Sequence, residues 1–187
     1  MIVIYVVTIS EASEVLRLIS ARLSHLRSRK VVGSKHMEIG ELSNVLQMMK
    51  NKELDIVVAT TAFGCGIDIP FIRTAIHYKL SYSIVDYCQQ LGRIGRDSVV
   101  SLSLVITYPN AVYSFAARDK TSVKSAWKIF MDDSMCRRVA LAKFMDGSNL
   151  IHISCRDDDE TPLGAMCDVC DSFTGTVQLL CNTYIIY

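Results

Sequence analysis

Two arginines three residues apart, Arg93 and Arg96, lie on a glycine-punctuated turn that follows an amphipathic segment. Each guanidinium is permanently charged and forked, so such a pair can bind phosphate oxygens bidentately. Gly92 and Gly95 lack the Cβ atoms that would keep a ligand away from the backbone. The turn, residues 92–97, is called the arginine turn. It suits a cleft that holds a polyphosphate, although a short turn of this kind is equally typical of a surface loop with solvated arginines.

A second loop, residues 59–70, precedes the arginine turn and is called the glycine loop. It leaves an apolar segment, turns through Gly64 and Gly66, and reaches Asp68 shortly before a proline. Backbone N–H groups in such a loop can bind phosphate, and the carboxylate can bind a hydroxyl. A Gly-x-Gly string by itself more often marks a tight turn, so the phosphate interpretation depends on the two loops occurring together.

Apolar periodicity predicts the elements that must position these loops. Continuous apolar runs predict strands at residues 2–7, around 31–32, and at 54–60, 72–78 and 99–108. Helical spacing predicts a first helix with Ser10 as N-cap and Val15, Ile19, Leu23 and Leu26 on its apolar face, a second with Leu42, Val45, Leu46 and Met49, and a third at 83–91. The alternation predicts an α/β domain with a parallel sheet covered by helices on both faces. Because ligands bind outside the carboxyl ends of such strands, we expect both loops there.

Beyond Pro109 the alternation stops, residues 111–130 favour helices, and a cysteine cluster follows. Its members are Cys136, Cys155, Cys167 and Cys170. A Cys-x-x-Cys pair with two further thiols suits a tetrahedral structural zinc, and free buried thiols are the alternative. His152 is a possible competitor of Cys155 for the metal.

Composition limits the classes of protein. The chain has 187 residues, half of them apolar, and a formal charge of +1, so a buried core is expected and any binding of nucleic acid must depend on local charge. The sequence contains neither a signal peptide nor an apolar stretch of membrane-spanning length, so we expect an intracellular protein without membrane contact. Seven cysteines in such a protein favour metal ligation over disulfides.

The glycine loop and the string Gln89-x-x-Gly92-Arg93-x-Gly95-Arg96-Asp97 resemble motifs V and VI of superfamily 2 helicases. The Ala-Phe-Gly-x-Gly-Ile-Asp-x-Pro string, the following Arg73 and the Tyr-x-Gln before the turn resemble the RecQ family, in a version similar to fungal sequences. The strings at 135–138, 144–147 and 167–170 resemble the RecQ zinc-binding subdomain, which supports zinc at the four cysteines. The resemblance runs from about residue 2 to about residue 171.

This resemblance implies the second RecA-like lobe of an ATP-dependent 3′ to 5′ DNA helicase of the nucleus. Arg96 would be the arginine finger, Arg93 its companion on the phosphates or on the contacts between the lobes, and Gln89 would orient the site. The glycine-loop residues Gly64, Gly66 and Asp68 would lie near ATP and its magnesium. Arginines engaged only in structural ion pairs are the alternative.

The resemblance also implies contacts with DNA. Thr8 and Thr60 would lie near its backbone, although Ile9 stands where the family has a polar residue. Arg137 and Arg138 would either contact the DNA backbone or cap a helix.

The sequence contains neither a Gly-x-x-x-x-Gly-Lys-[Ser/Thr] loop nor an Asp-Glu box, the parts that hold phosphates and magnesium in such ATPases. We therefore expect this chain to be an incomplete copy or a separately encoded half of such a helicase, inactive alone and active only with a first lobe in cis or in trans. The predicted organisation is a helicase C-terminal domain at 1–108, a helical zinc-binding subdomain at 109–172 and a tail without assigned role at 173–187. The competing hypothesis is a non-catalytic zinc-containing module that binds DNA or a protein.

Overall fold

A computed structural model describes most of the chain. The described residues are 1–33, 36–38, 40–60, 63, 68–97, 99–107, 121–147, 150–157, 166–170 and 183–186, with backbone only for 121–125 and 183–186. The strands are β1 (Ile2–Tyr5), β2 (Ser28–Val31), β3 (Ile56–Ala59), β4 (Thr74–Tyr78), β5 (Leu102–Ile106) and β6 (Thr183–Ile186). The helices are α1 (Ile9–Arg22), α2 (Glu41–Lys50), α3 (Ile84–Leu91), α4 (Thr121–Phe130) and α5 (Arg137–Asp146).

The strands form one sheet in the order β2-β3-β1-β4-β5-β6. The first five strands pair in parallel, with Tyr5 of the central strand beside Ala59 on one side and His77 on the other. All four residues of β3 are buried, as its continuous apolar run predicts for a strand covered on both faces. The α/β prediction is confirmed.

Helices cover both faces of the sheet. Val58 faces a cluster with the α1 residue Ala12, whereas its neighbour Val57 faces a cluster with the α2 residues Val45 and Met49, because successive strand residues point to opposite faces. Met49 is fully buried, and such burial contributes about 1.5–3 kcal/mol. The predicted apolar face of α2 is confirmed.

The start of α1 differs from the prediction. Thr8, not Ser10, is the N-cap: its hydroxyl accepts the N–H of Glu11 at 3.2 Å, and the Glu11 carboxylate accepts the N–H of Thr8 at 3.0 Å. This reciprocal capping box requires a glutamate three residues after the cap, and the spacing from Thr8 to Glu11 provides it. The helix ends at Arg22, so the predicted Leu26 lies beyond it.

The helices after β5 extend the core of the α/β domain. The Tyr87 ring on α3 lies 5.5 Å from Trp127 and 5.2 Å from Phe130, both on α4, and this buried cluster continues into the four cysteines. The predicted boundary at residues 108–109 falls outside the described residues.

Part of the tail has a structural position that the sequence did not reveal. Strand β6 pairs antiparallel to β5 at the edge of the sheet, with Leu102 opposite Ile186. None of the helices in the described part of the chain is both long and apolar enough to cross a membrane.

Candidate functional site

The arginine turn lies at the amino-terminal ends of β4 and β5. Helix α3 begins after the carboxyl end of β4, where the Ser83 hydroxyl accepts the N–H of Asp86 at 3.0 Å, and runs back along the sheet. The N–H of Gly95 then donates to the carbonyl of Ile72, just before β4, at 3.1 Å. The expectation that both loops lie at the carboxyl ends is therefore wrong for the arginine turn. A helix that connects two parallel strands runs antiparallel to them, so the turn that follows it lies at the amino-terminal ends of the strands.

The two glycines of the turn have different roles. Gly95 adopts φ +63°, and a Cβ there would lie 2.9 Å from the Ser101 Oγ and 3.2 Å from the Val99 carbonyl oxygen. Gly92 has φ −63°, and its nearest neighbours would be 3.6 Å from an added Cβ. Only Gly95 needs to be glycine for the backbone to close this turn.

Two ion pairs connect the arginine turn to the end of the glycine loop and the residues after it. Arg96 Nη1 lies 2.7 Å from Asp68 Oδ1, and Arg96 Nε donates to the Gly92 carbonyl at 2.9 Å. Arg73 binds Asp97 with both Nη atoms, one of them 2.9 Å from Oδ1. The hydrogen bond from Arg73 lowers the pKa of Asp97. The structure thus brings Asp68 of the glycine loop and Arg96 of the arginine turn together; Gly64 and Gly66 lie outside the described residues.

Arg93 and Gln89, near the end of α3, differ in exposure: Arg93 is half-buried and Gln89 is exposed. Arg93 lies near the buried ring of Tyr5. Burial raises the pKa of Tyr5, and the positive charges of Arg93 and Arg96 oppose that rise. The two arginines therefore contribute positive potential to the same region beside the central strand.

Sequence reasoning missed a polar group beneath α3. Gln90, beside the predicted Gln89, is buried and accepts a hydrogen bond from the Ser81 hydroxyl at 2.9 Å. His77 is buried between the rings of Tyr5 at 5.1 Å and Tyr87 at 4.6 Å, and burial lowers its pKa to about 4. His77 is therefore neutral at pH 7. The signal was available, because Tyr87 and Gln90 are three apart and share the buried face of the helix.

The four cysteines converge. Their Sγ atoms all lie within 4.8 Å of one another, with Cys136 3.4 Å from Cys155 and 3.9 Å from Cys167. Four sulfurs at about 2.3 Å from a tetrahedral zinc lie about 3.8 Å apart, so this donor set fits the metal. The hydrogen bond from the Cys167 thiol lowers the pKa of Cys136, which favours the thiolate that binds metals. His152 instead lies 3.0 Å from the Gly147 carbonyl oxygen.

Arg137 cannot contact DNA in this structure. Its side chain is fully buried, forms ion pairs with Asp168 at 2.8 Å and Asp133 at 2.7 Å, and donates to the carbonyl of Asp132 at 3.2 Å. It does cap a helix, since its guanidinium donates to the carbonyl of Phe130, the last residue of α4, at 2.5 Å. The DNA interpretation of Arg137 is therefore wrong and the helix cap is observed: the cation connects the end of α4 to the Cys-x-x-Cys segment.

The other residues predicted to contact DNA differ in exposure. Thr8 is exposed at the carboxyl end of β1, and Arg138 is half-buried. Thr60 is only 6% exposed, so the structure does not support a contact between its side chain and DNA.

Comparison with known proteins identifies relatives of the chain. The family described as "Helicase conserved C-terminal domain" matches residues 1–98. The chain is 32% identical over 117 residues to the putative ATP-dependent DNA helicase Q1 of Caenorhabditis briggsae. The aligned region covers 59% of this chain and 19% of that protein. The chain is 33% identical over 119 residues to ATP-dependent DNA helicase Q1 of Mus musculus, covering 59% and 18%, and 36% identical over 73 residues to the probable ATP-dependent DNA helicase RecS of Bacillus subtilis, covering 39% and 15%.

Among solved structures, the yeast DEAD-box splicing factor Prp28 is similar with a TM-score of 0.56 and 18% identity, over 81% of this chain and 32% of that one. At this identity the similarity concerns the fold alone. The chain spans less than a fifth of the length of the three curated relatives named above.

Proposed function

Because the chain belongs to the helicase conserved C-terminal domain family and resembles RecQ-type DNA helicases, we propose that it is the second motor lobe of an ATP-dependent 3′ to 5′ DNA helicase. Its arginine turn binds the phosphates of a nucleotide held by a first lobe. The observation that carries the proposal is the contact between the Arg96 guanidinium and the Asp68 carboxylate.

The Asp68 carboxylate stands in for a phosphate oxygen in this contact. The Arg96 side chain is 33% exposed and that of Asp68 is 79% exposed, so the pair is open to solvent. Such surface pairs contribute about 0–1 kcal/mol, which a phosphate with more charge and more acceptor oxygens can displace. Arg96 is then the arginine finger, Arg93 adds positive charge beside it, and Gln89 orients the site from the exposed side of α3.

When bound, ATP and its magnesium would supply the reacting phosphate and part of the charge that neutralises it, and the first lobe would hold them. The described residues of this chain bind and orient: Arg96 and Arg93 stabilise negative charge that develops during phosphoryl transfer. Asp68, once released by Arg96, lies near the nucleotide.

ATP hydrolysis by a two-lobe protein tests this function. The protein joins this chain to the first lobe of a RecQ-type relative. Arg96→Ala lowers kcat by on the order of a thousandfold, and Arg96→Lys retains the charge without the fork and recovers only part of it. Arg27→Ala is the matched control, because Arg27 also forms a bidentate ion pair, with Asp55 at 2.9 Å, but lies at the amino end of β2. If Arg96→Ala hydrolyses ATP as fast as the control, the motor function is wrong and the non-catalytic binding module is the better account.

We also propose that DNA passes the carboxyl end of β1, where Thr8 is exposed, with Arg138 as a further contact on α5. Support comes from the DNA helicases among the relatives. In the two-lobe protein, Thr8→Val together with Arg138→Ala weakens binding of single-stranded DNA several-fold at fixed salt. Unchanged binding, measured by fluorescence anisotropy, contradicts this path.

A structural zinc at the four cysteines completes the proposal. The spacing of the sulfurs supports it, and such a metal can contribute on the order of 10 kcal/mol to the folding of a small segment. Metal analysis of the purified chain should give one zinc per molecule. Cys155→Ser lowers this content, whereas Cys88→Ser, a half-buried cysteine on α3, leaves it unchanged. A folded chain without zinc, prepared without chelator, contradicts the proposal.

A further inference from the structure

We propose that Arg73 is a positioning residue for Arg96, which it holds in place through Asp97. The inference rests on the proposed function, because it concerns the placement of the same finger. It goes beyond that function by assigning a catalytic consequence to an ion pair outside the phosphate contacts.

The backbone of Arg73 is fixed between two strands. Its N–H donates to the Met1 carbonyl at 3.0 Å, and its carbonyl accepts the N–H of Leu102 at 2.8 Å. These bonds attach Arg73 to the amino ends of β1 and β5. The side chain therefore projects from a fixed point of the sheet.

Two consecutive residues of this segment hold the two neighbours of Arg96. The carbonyl of Ile72 accepts the N–H of Gly95 at 3.1 Å, and the guanidinium of Arg73 binds both carboxylate oxygens of Asp97. Arg96 lies between these two attachments. Its Cα position is thus set by the sheet, whereas its exposed guanidinium can exchange Asp68 for a phosphate.

The Arg73 guanidinium contacts the end of the glycine loop as well as Asp97. Its Nη1 also donates to the Pro70 carbonyl at 3.3 Å, which closes the segment between Asp68 and β4. The side chains of Arg73 and Asp97 are 32% and 30% exposed, so the pair is only partly screened by solvent. One guanidinium therefore connects the end of the glycine loop to the residue after the finger.

Positioning and stabilisation predict different results. A partly exposed ion pair contributes about 0–1 kcal/mol to stability, so its loss changes the melting temperature little. A displacement of a catalytic group by about 1 Å can lower the rate by about a hundredfold. Loss of the Arg73 to Asp97 pair should therefore lower kcat far more than it lowers stability.

The test is a charge reversal in the two-lobe protein. Arg73→Glu and Asp97→Arg should each lower kcat by about 10- to 100-fold, with the KM for ATP within about threefold, because ground-state binding is largely kept. The double variant restores the pair in reverse and should recover kcat to within about fivefold of the unmodified protein. Arg73→Gln, near in size and without charge, replaces Arg73→Glu if the reversed variant does not fold. The matched control is Arg27→Glu, which breaks the Arg27 to Asp55 pair and should leave kcat unchanged.

The outcomes separate this inference from the proposed function. If Arg96→Ala lowers kcat but the Arg73 variants do not, the positioning role is wrong and the finger stands. If the double variant is as slow as the singles, pairing is not the cause and the inference is also overturned. If Arg96→Ala itself has no effect, the proposed function fails first. In the isolated chain, Arg73→Gln should lower the melting temperature no more than Arg27→Gln; a much larger fall contradicts a role confined to positioning.

Discussion

Replacement of Gly95 by alanine tests whether the arginine turn has the conformation described above. At φ +63° an L-residue with a Cβ costs about 1 kcal/mol relative to glycine. The added Cβ would also lie 2.9 Å from the Ser101 Oγ and 3.2 Å from the Val99 carbonyl oxygen. Ser101 is 2% exposed and cannot rotate into solvent, so the overpacking should add about 1–3 kcal/mol.

Together these terms predict a loss of about 3 kcal/mol, or a melting temperature lower by about 6–12 °C for a chain of this size. Urea unfolding of the isolated chain, loaded with zinc and followed by circular dichroism, measures the loss. Gly92→Ala is the matched control, three residues earlier in the same turn. With φ −63° and neighbours no closer than 3.6 Å, it should change the free energy of unfolding by less than about 0.5 kcal/mol.

A second substitution separates the steric cost from the backbone cost. In the Ser101→Ala background the closest contact is removed, so Gly95→Ala should cost about 1 kcal/mol less than in the unmodified chain. The left-handed backbone remains in both. If Gly95→Ala and Gly92→Ala prove equally mild, the turn does not have this geometry, and the placement of Arg96 derived from it is wrong.

Three further predictions concern the core and the metal. Burial lowers the pKa of His77 from about 6.5 in the unfolded chain to about 4 in the fold, so the unfolded chain takes up a proton first as the pH falls, and stability present above pH 6.5 is lost between pH 6.5 and 4, by at most about 3 kcal/mol. In urea titrations at a series of pH values, His77→Phe should remove this fall in the free energy of unfolding between pH 6.5 and 4. Arg137→Met leaves the largely buried Asp168 carboxylate without its cation and should lower the free energy of unfolding by about 3 kcal/mol, whereas Arg138→Met should lower it by less than about 1 kcal/mol. Equal losses in urea unfolding would contradict the buried ion pair. Chelation of zinc should lower the melting temperature and added zinc should restore it, while Cys155→Ser should already be destabilised and insensitive to chelator.

The local patterns were read correctly from the sequence. The apolar run of β3 and the spacing of Val45 and Met49 on α2 are local in the chain, and each is observed in the structure. The four cysteines also come together, although Cys136 and Cys167 are 31 residues apart, and here the shared ligand chemistry of the thiols was the signal. Their success has a simple cause, because hydrophobic periodicity and ligand chemistry depend on spacing and residue type. The N-cap of α1 is an exception: the sequence pattern predicts Ser10, whereas the structure has Thr8, because only Thr8 is followed three residues later by a glutamate, Glu11, that completes the capping box.

The partners of charged groups required the tertiary structure. The sequence left open whether Arg137 contacts DNA or caps a helix, and the fold decides, because Asp168, thirty-one residues later, pairs with the buried cation beside the cysteine cluster. In the same way, Arg73 and Asp97 are 24 residues apart and meet only because the arginine turn lies beside the amino-terminal end of β4. Charge alone does not state its partner, since any exposed arginine can pair with any carboxylate that the fold brings near.

By itself, the sequence determined the parallel α/β domain and the residue types of the arginine turn and of the four-cysteine cluster, because these features depend on residue type and spacing. Only the tertiary structure decided that the turn lies at the amino ends of β4 and β5, that Gly95 and not Gly92 is required there, and that Asp68 is the carboxylate at Arg96. The direction in which α3 crosses the sheet fixes the first of these, and it follows from the packing of a connecting helix on parallel strands rather than from any short motif. The other two depend on the backbone of the turn and on the residues that the fold places beside it.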